Sequence, residues 1–135
     1  MRPSEVRRRV LTDHQKLREM LLTLEKLAAE VIEGEPWIGG VLRLEGEAVF
    51  ARFLDHLTWE NEHLRPLLLE SDSRDGGHAL RLDNNQREQR ELLQYALTGL
   101  RDPKRPPLII ARNLLDLVRL LRHDMDDEEE MLLDV

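Results

Sequence analysis

The stretch Phe53–Pro66, FLDHLTWENEHLRP, decides how this chain folds and what its interior contains. His56 and Glu60 are four residues apart, slightly more than one helical turn, so their side chains project from the same face. Val49 and Phe53 have similar helical angles, and the pair is therefore predicted to point into an apolar interior. Burying an imidazole and a carboxylate is costly unless both are satisfied, and a metal cation satisfies both. A core histidine bonded to its neighbouring glutamate is the alternative explanation for so short a pattern.

The composition predicts one all-α domain that spans residues 1–135. The 135 residues are 41% hydrophobic and 35% charged, which is enough for one core and too little for two. Only 4% are aromatic, and Leu, Glu and Arg are abundant, which favours helix over strand. Without cysteine the chain has no disulfides and no thiolate ligands, which suits a reducing compartment.

The sequence further predicts a cytoplasmic protein that binds neither membranes nor nucleic acids. No apolar run approaches the roughly 20 residues that span a bilayer, and the beginning, MRPSEVRRRV, lacks the apolar core of a signal peptide. A net charge of -7 disfavours a general nucleic-acid surface.

Apolar spacing predicts four helices with short connections. Ser4 is expected to be the first N-cap, Gly34 to end the first helix, and Pro66 to lie inside the second. The segments Gly34–Gly40 and Ser71–Gly77 are rich in turn formers and are interpreted as connections. Because short connections make successive helices neighbours, we expect an antiparallel up-down-up-down four-helix bundle. The first helix is expected to run from Ser4 to about Glu33, and the second to be established by about Glu45 and to reach Ser71. The third and fourth are expected to run approximately over Gly77–Leu100 and Pro107–Leu132.

In such a bundle, histidines from three helices are predicted to meet at one level. His14 lies about ten residues from the start of the first helix, and His123 about ten from the end of the fourth. His56 and Asn85 fall near the same depth on the second and third helices. The bundle geometry therefore predicts one polar layer built by all four helices.

A second pairing of histidine and carboxylate follows from HDMDDEEEM, which begins at His123. Asp127 and Glu128 lie about 40° and about 140° around the helix from His123, so that either side chain can turn inward. Imidazoles and carboxylates in one buried layer form a nitrogen and oxygen site that suits iron, manganese or zinc. Two bridging carboxylates would allow two metals.

Three segments carry a resemblance to a known family: LTDHQKLREML, HLTWENEHLRPLL and HDMDDEEEML. Together they resemble the hemerythrin-like, or HHE cation-binding, domain over nearly the whole chain. The resemblance implies a non-haem, usually di-iron centre that binds dioxygen or another small diatomic ligand, senses oxygen or redox state, or handles iron. The ligands that it implies are His14, His56, Glu60, His123, and Asp127 or Glu128.

The third helix departs from the family pattern, which usually places one or two histidines there. Asn85 and Gln89 take the best-matched inward positions, and an amide oxygen is a weak, neutral ligand. Glu88, as a shifted carboxylate, and His78, bending in from the start of the helix, are weaker candidates for completing the site. A complete di-iron centre, a mononuclear or low-affinity site, and an empty polar layer all remain open at this point.

A metal-free helical bundle that acts as a protein-interaction module, for example as a homodimer, is the alternative function. Among metal proteins, binding or sensing is favoured over catalysis. Ferritin-like oxygenases and ferroxidases generally present ExxH pairs, whereas this chain has HxxxE. His63, about 10 Å along the axis from His56, is expected beside the ligands or at the surface.

Overall fold

The computed structural model describes residues 1–71 and 77–135, which form four α-helices and a short 3-10 turn at Pro36–Ile38. No strand occurs in these two ranges, so the all-α prediction is confirmed. No helix within them is long and apolar enough to cross a membrane. Most of the predicted connection Ser71–Gly77 lies outside the described residues. The helices are α1 (Pro3–Ile32), α2 (Gly39–Ser71), α3 (Gly77–Arg101) and α4 (Pro107–Leu132).

The four helices form an antiparallel bundle, as the sequence predicts. Each helix packs against its neighbours in the chain, and α4 closes the bundle against α1. In the side-chain contacts between adjacent helices, the residue number falls along one helix as it rises along the other, which is the mark of antiparallel packing. The contacts are Arg18–Glu129 and Glu25–Arg122 between α1 and α4, and Glu47–Arg101 and Arg65–Asp83 between α2 and α3.

The second helix begins at Gly39 and is therefore established before Glu45, as the sequence predicts. Within this helix, Gly46 allows close packing. A Cβ atom on Gly39 would lie 3.4 Å from the ring of Pro107, and one on Gly46 would lie 2.7 Å from Leu100. Because Gly46 has no side chain, α2 approaches Leu100 of α3 closely here. The connection predicted over Gly34–Gly40 lies between the two helices, but α2 begins within its last two residues.

The predicted C-terminal end of α1 agrees with the structure, whereas the predicted N-cap does not. Gly34 has a φ of 105°, in the left-handed region that favours glycine, and directly follows the C-cap Glu33, as predicted. At the other end the N-cap is Arg2 rather than Ser4. The fixed φ of Pro3 suits the first helical position, so the helix starts two residues earlier than an N-cap at Ser4 would place it.

Two apolar clusters fill the bundle, one on each side of a buried polar layer. The larger cluster includes Leu24, Phe50 and Leu114, and the smaller one includes Val10, Leu64 and others at the opposite end. Ionisable and amide groups in such an interior have to bind one another or a ligand. The buried polar residues are His14, His56, Glu60, Gln86, Gln89, Asp124 and Glu128.

The C-terminal end of α3 is held by Arg43 of α2. Its guanidinium donates to the carbonyl oxygens of Leu100 at 2.5 Å, Asp102 at 3.2 Å and Arg105 at 3.1 Å. The last carbonyls of a helix have no partner within the helix. Arg43 therefore provides a charged donor to these carbonyls, and at Asp102 it adds to the bond from the backbone N–H of Arg105.

We expect Arg43→Ala to lower the free energy of unfolding by about 1.5–3 kcal/mol, because three carbonyl groups lose a charged donor. Urea denaturation followed by far-ultraviolet circular dichroism measures the change. Arg112→Ala, on the exposed face of α4, is the control and should change little. Equal stability of the two variants would contradict the role of Arg43.

Candidate metal centre

Four buried side chains from three helices meet in the polar layer. Each offers one nitrogen or oxygen atom, and these atoms lie within 4.8 Å of one another. The residues are at most 5% exposed. Imidazole and carboxylate donors are the ligands that first-row metal cations accept. The four residues are His14 from α1, His56 and Glu60 from α2, and Glu128 from α4.

The pair His56 and Glu60 leaves two polar atoms free to bind a cation. Nε2 of His56 and Oε2 of Glu60 lie 3.2 Å apart. Neither atom makes a hydrogen bond with good geometry to any described residue, although both are buried. Buried polar atoms are rarely left in this state, and one cation would satisfy both. The donor set therefore fits a metal ion.

The other two donors form a second pair beside the first. Nε2 of His14 lies 2.9 Å from Oε2 of Glu128. The rings of His14 and His56 approach edge to face, with centroids 5.0 Å apart. Two imidazoles and two carboxylates thus face a common point from different helices.

Outer carboxylates hold both imidazole rings in place. Nδ1 of His56 lies 3.2 Å from Oδ2 of Asp13, and Nδ1 of His14 lies 3.2 Å from Oε2 of Glu129. Arg18 in turn donates to Glu129. A carboxylate that accepts a proton from Nδ1 fixes the ring and leaves Nε2 as the ligand atom. The surroundings therefore present both Nε2 atoms to the centre.

The charges of the four groups depend on burial and on one another. Burial raises the pKa of Glu128 well above its usual value, and the charge of Glu60 raises it further. Burial also lowers the pKa of His14. Burial opposes charge on His56, but Glu60 and Asp13 outweigh it, and the pKa of His56 is raised. Burial likewise opposes charge on Glu60, but its contact with His56 outweighs this, and the pKa of Glu60 is lowered.

Comparison with known families adds an independent observation to this geometry. The sequence model of the hemerythrin HHE cation-binding domain matches residues 6–135. The chain belongs to the hemerythrin HHE cation-binding family. No curated protein and no solved structure gives a significant match. Membership of this family implies cation binding, and the buried cluster of histidine and glutamate is where a cation fits.

In this hemerythrin-like bundle His123 lies on the exposed face of α4, away from the polar layer. The buried stripe of α4 runs through Leu121, Asp124, Met125 and Glu128. His123 lies two residues beyond Leu121, about 200° around the helix. The prediction that His123 joins the layer is therefore wrong, because it matched depth along the axis but not the direction of the side chain.

The structure separates Asp127 from Glu128. The carboxylate of Asp127 accepts from Arg81 and, at 2.8 Å, from Nδ2 of Asn85, both on α3. Glu128 instead faces His14 in the interior. The helical angles alone left this choice open, and the cations and amides of the neighbouring helix decide it.

The third helix presents amides to the layer, but one of them differs from the prediction. Gln86, not Asn85, is buried beside Gln89, because the buried face of α3 steps by four residues from Leu82. Nε2 of Gln86 donates to Oε1 of Glu60 at 3.3 Å. The spacing from Leu82 was equally compatible with Asn85, so the sequence carried no signal that distinguished the two.

Asp124 was missed by the sequence analysis, although its position three residues after Leu121 could have shown it. It is 3% exposed, and Oδ2 accepts from Nε2 of Gln89 at 2.9 Å. Burial raises the pKa of Asp124. Oε1 of Gln89 is buried and has no hydrogen-bond partner among the described residues. Asp124 and Gln89 thus extend the polar layer next to the centre without adding an imidazole.

The remaining candidates lie outside the centre. Glu88 is exposed on α3. His78 is 2.8 Å from Oδ2 of Asp134, near the start of α3. His63 is partly exposed, and its ring packs 5.0 Å from that of Trp59. The predictions that Glu88 or His78 completes the site are therefore not met in this arrangement of side chains.

We expect the affinity for Zn²⁺ to fall as the pH decreases from about 7.5 to about 5.5, by about tenfold per pH unit for each proton released on binding. Glu128 and His56, whose pKa values are raised, have to lose protons before they bind a cation. Burial lowers the pKa of His14, so this group opposes binding by competition with protons less than the other two do. Competition with a chromophoric chelator at several pH values measures the slope. An affinity that does not change over this range would contradict the assignment.

We expect Asp13→Asn to weaken Zn²⁺ binding by about 10–100-fold, because a neutral amide orients the ring of His56 less well and makes it a poorer donor. Asp55→Asn is the matched control. It makes the same charge change next to His56, but Asp55 is exposed and forms no ion pair within the described ranges. Equal losses in both variants would point to overall charge rather than to the bond with His56.

Proposed function

We propose that this protein binds one iron ion per chain between His14, His56, Glu60 and Glu128, and that it binds or senses dioxygen or another small diatomic ligand. Handling of iron itself is a related role of the same site. The observation that carries the proposal is the pair of buried, unpartnered atoms, Nε2 of His56 and Oε2 of Glu60. Manganese and zinc accept the same donors. Membership of the hemerythrin HHE family supports a cation at this position.

The third helix supports one metal rather than two. Gln86 and Gln89 occupy its buried positions, and each amide nitrogen is bonded to a carboxylate, of Glu60 and of Asp124 respectively. Neutral amides are weak ligands, and a second iron would lack imidazole nitrogens on this side. We therefore propose a mononuclear centre.

The protein's own residues shape what this centre does. When bound, iron supplies redox chemistry and a coordination position for a small molecule. Asp13 and Glu129 orient the two imidazole rings through Nδ1. The apolar clusters on both sides exclude bulk water from the layer. Donor side chains that are almost fully buried suit a ligand of a few atoms better than a larger substrate.

Alanine variants test the proposed ligands. We expect His14→Ala and His56→Ala to lose most of the bound iron, because each removes one of four donors. His63→Ala and His123→Ala should retain it, since both side chains lie outside the cluster. Elemental analysis of protein purified without chelators measures the iron content. Glu128→Gln, which keeps the side-chain shape, should also lose iron, and melting curves show whether each variant folds.

The alternative function, a metal-free interaction module, leads to different expectations for the metal content and melting temperature of the protein. Such a protein would contain no metal and would melt at the same temperature with and without chelator. A protein that binds metal in its folded state should melt at a lower temperature after chelation. An absorption spectrum that changes on exposure to dioxygen or azide supports small-ligand binding. An iron-loaded protein whose spectrum is unaffected by either would contradict that part of the proposal.

A further inference from the structure

A cavity of about 400 Å³ opens between α1 and α2, outside the polar layer but next to it. The side chain of His56, 4% exposed, borders this cavity with its outer edge. The cavity volume lies in the range of small-molecule sites. The charged residues that line it are Arg9, Asp13, Lys16, Arg52 and Asp55.

The cations of this cleft have few internal partners. Asp13 is already engaged, since Nε of Arg9 lies 3.0 Å from Oδ1 and Nδ1 of His56 lies 3.2 Å from Oδ2. Lys16 and Arg52 are exposed, and neither has a carboxylate within 4.0 Å in the described part of the chain. Unpaired cations that face one concavity attract an anion. The net charge of the protein is -7, so the positive charge of the cleft is opposite in sign to that of the chain as a whole.

An aromatic wall completes the cleft. Trp59 lines it, and the guanidinium of Arg9 lies 5.1 Å from the centroid of the indole ring. This cation–π contact holds Arg9 at the edge of the cavity. A bound molecule would therefore meet two free cations, one held cation and one apolar surface.

We propose that the cleft between α1 and α2 binds a small anion through carboxylate or phosphate oxygens, with Lys16 and Arg52 as its anchors. Asp55 is the one lining carboxylate without an ion pair among the described residues, and it limits the excess of positive charge. Two contacts, from Arg9 to Asp13 and from Asp13 to His56, connect the edge of the cleft to the proposed metal centre. The site goes beyond the proposed function and does not require a metal.

Isothermal titration with inorganic phosphate and, separately, malonate tests the site in the full chain at low ionic strength. The two probes distinguish a phosphate ligand from a carboxylate ligand. We expect Lys16→Gln and Arg52→Gln each to weaken the preferred probe by about fivefold, because each removes one charge-assisted hydrogen bond. Arg112→Gln, the same charge change at the far end of α4, is the control and should bind as the unaltered protein does.

Fluorescence of Trp59 gives a second readout. The other tryptophan, Trp37, is 77% exposed and is removed by Trp37→Phe, so that the remaining emission reports on the cleft. We expect the preferred probe to change this emission with the affinity found by titration. Titrations before and after chelator treatment separate this site from the proposed metal function, since anion binding should persist in both.

Three outcomes would overturn the proposal. The first is that neither probe binds at concentrations up to about 10 mM, which corresponds to a negligible affinity. The second is that Lys16→Gln and Arg52→Gln bind no more weakly than Arg112→Gln, which would show that only net charge matters. Binding without any change in the emission of Trp59 would place the anion elsewhere on the protein.

Discussion

The burial of two imidazole–carboxylate pairs inside an apolar bundle is the constraint on which the rest of the structure depends. Such groups are expensive to remove from water unless every polar atom finds a partner. The bundle provides such partners for the outer atoms of the layer. Asp13 and Glu129 hold the outer nitrogens of the rings, and Gln86 donates to a carboxylate from α3. At the centre of the layer, Nε2 of His56 and Oε2 of Glu60 remain unsatisfied, and a cation fits there. Oε1 of Gln89, next to the centre, also lacks a partner among the described residues.

The acidic run at the end of α4, residues 126–130, also needs partners, and it finds them on neighbouring helices. Carboxylates near the C-terminus of a helix meet the negative end of its dipole. Arg18 of α1 accepts part of this charge by pairing with Asp126 and Glu129, and Arg81 of α3 pairs with Asp127. Glu128, the carboxylate of this run that faces the interior, therefore has neighbours whose charges are already compensated.

The third helix of this hemerythrin HHE family member contributes amides rather than imidazoles to the polar layer. Amides from α3 complete the polar layer by hydrogen bonds rather than by strong coordination. Asp124 and Gln89 continue that layer next to the four donors, so the region in which a second metal would need nitrogen ligands is occupied by neutral groups. The centre is asymmetric as a result, with both imidazoles on the side of α1 and α2 and amides on the side of α3.

The sequence alone determined the helices and the pairing of His56 with Glu60, because these depend on spacing within single segments. It also determined the antiparallel bundle, because short connections make successive helices neighbours. It also placed His14 in the interior, since that residue lies within a regular apolar stripe. The tertiary structure decided what spacing leaves ambiguous. The buried face of α3 is offset by one residue from the predicted one, so that Gln86 rather than Asn85 is buried. Contacts with α3 hold Asp127 away from the interior. His123 reached the right depth but faces solvent, because depth along a helix and direction around it are independent, and only packing fixes both.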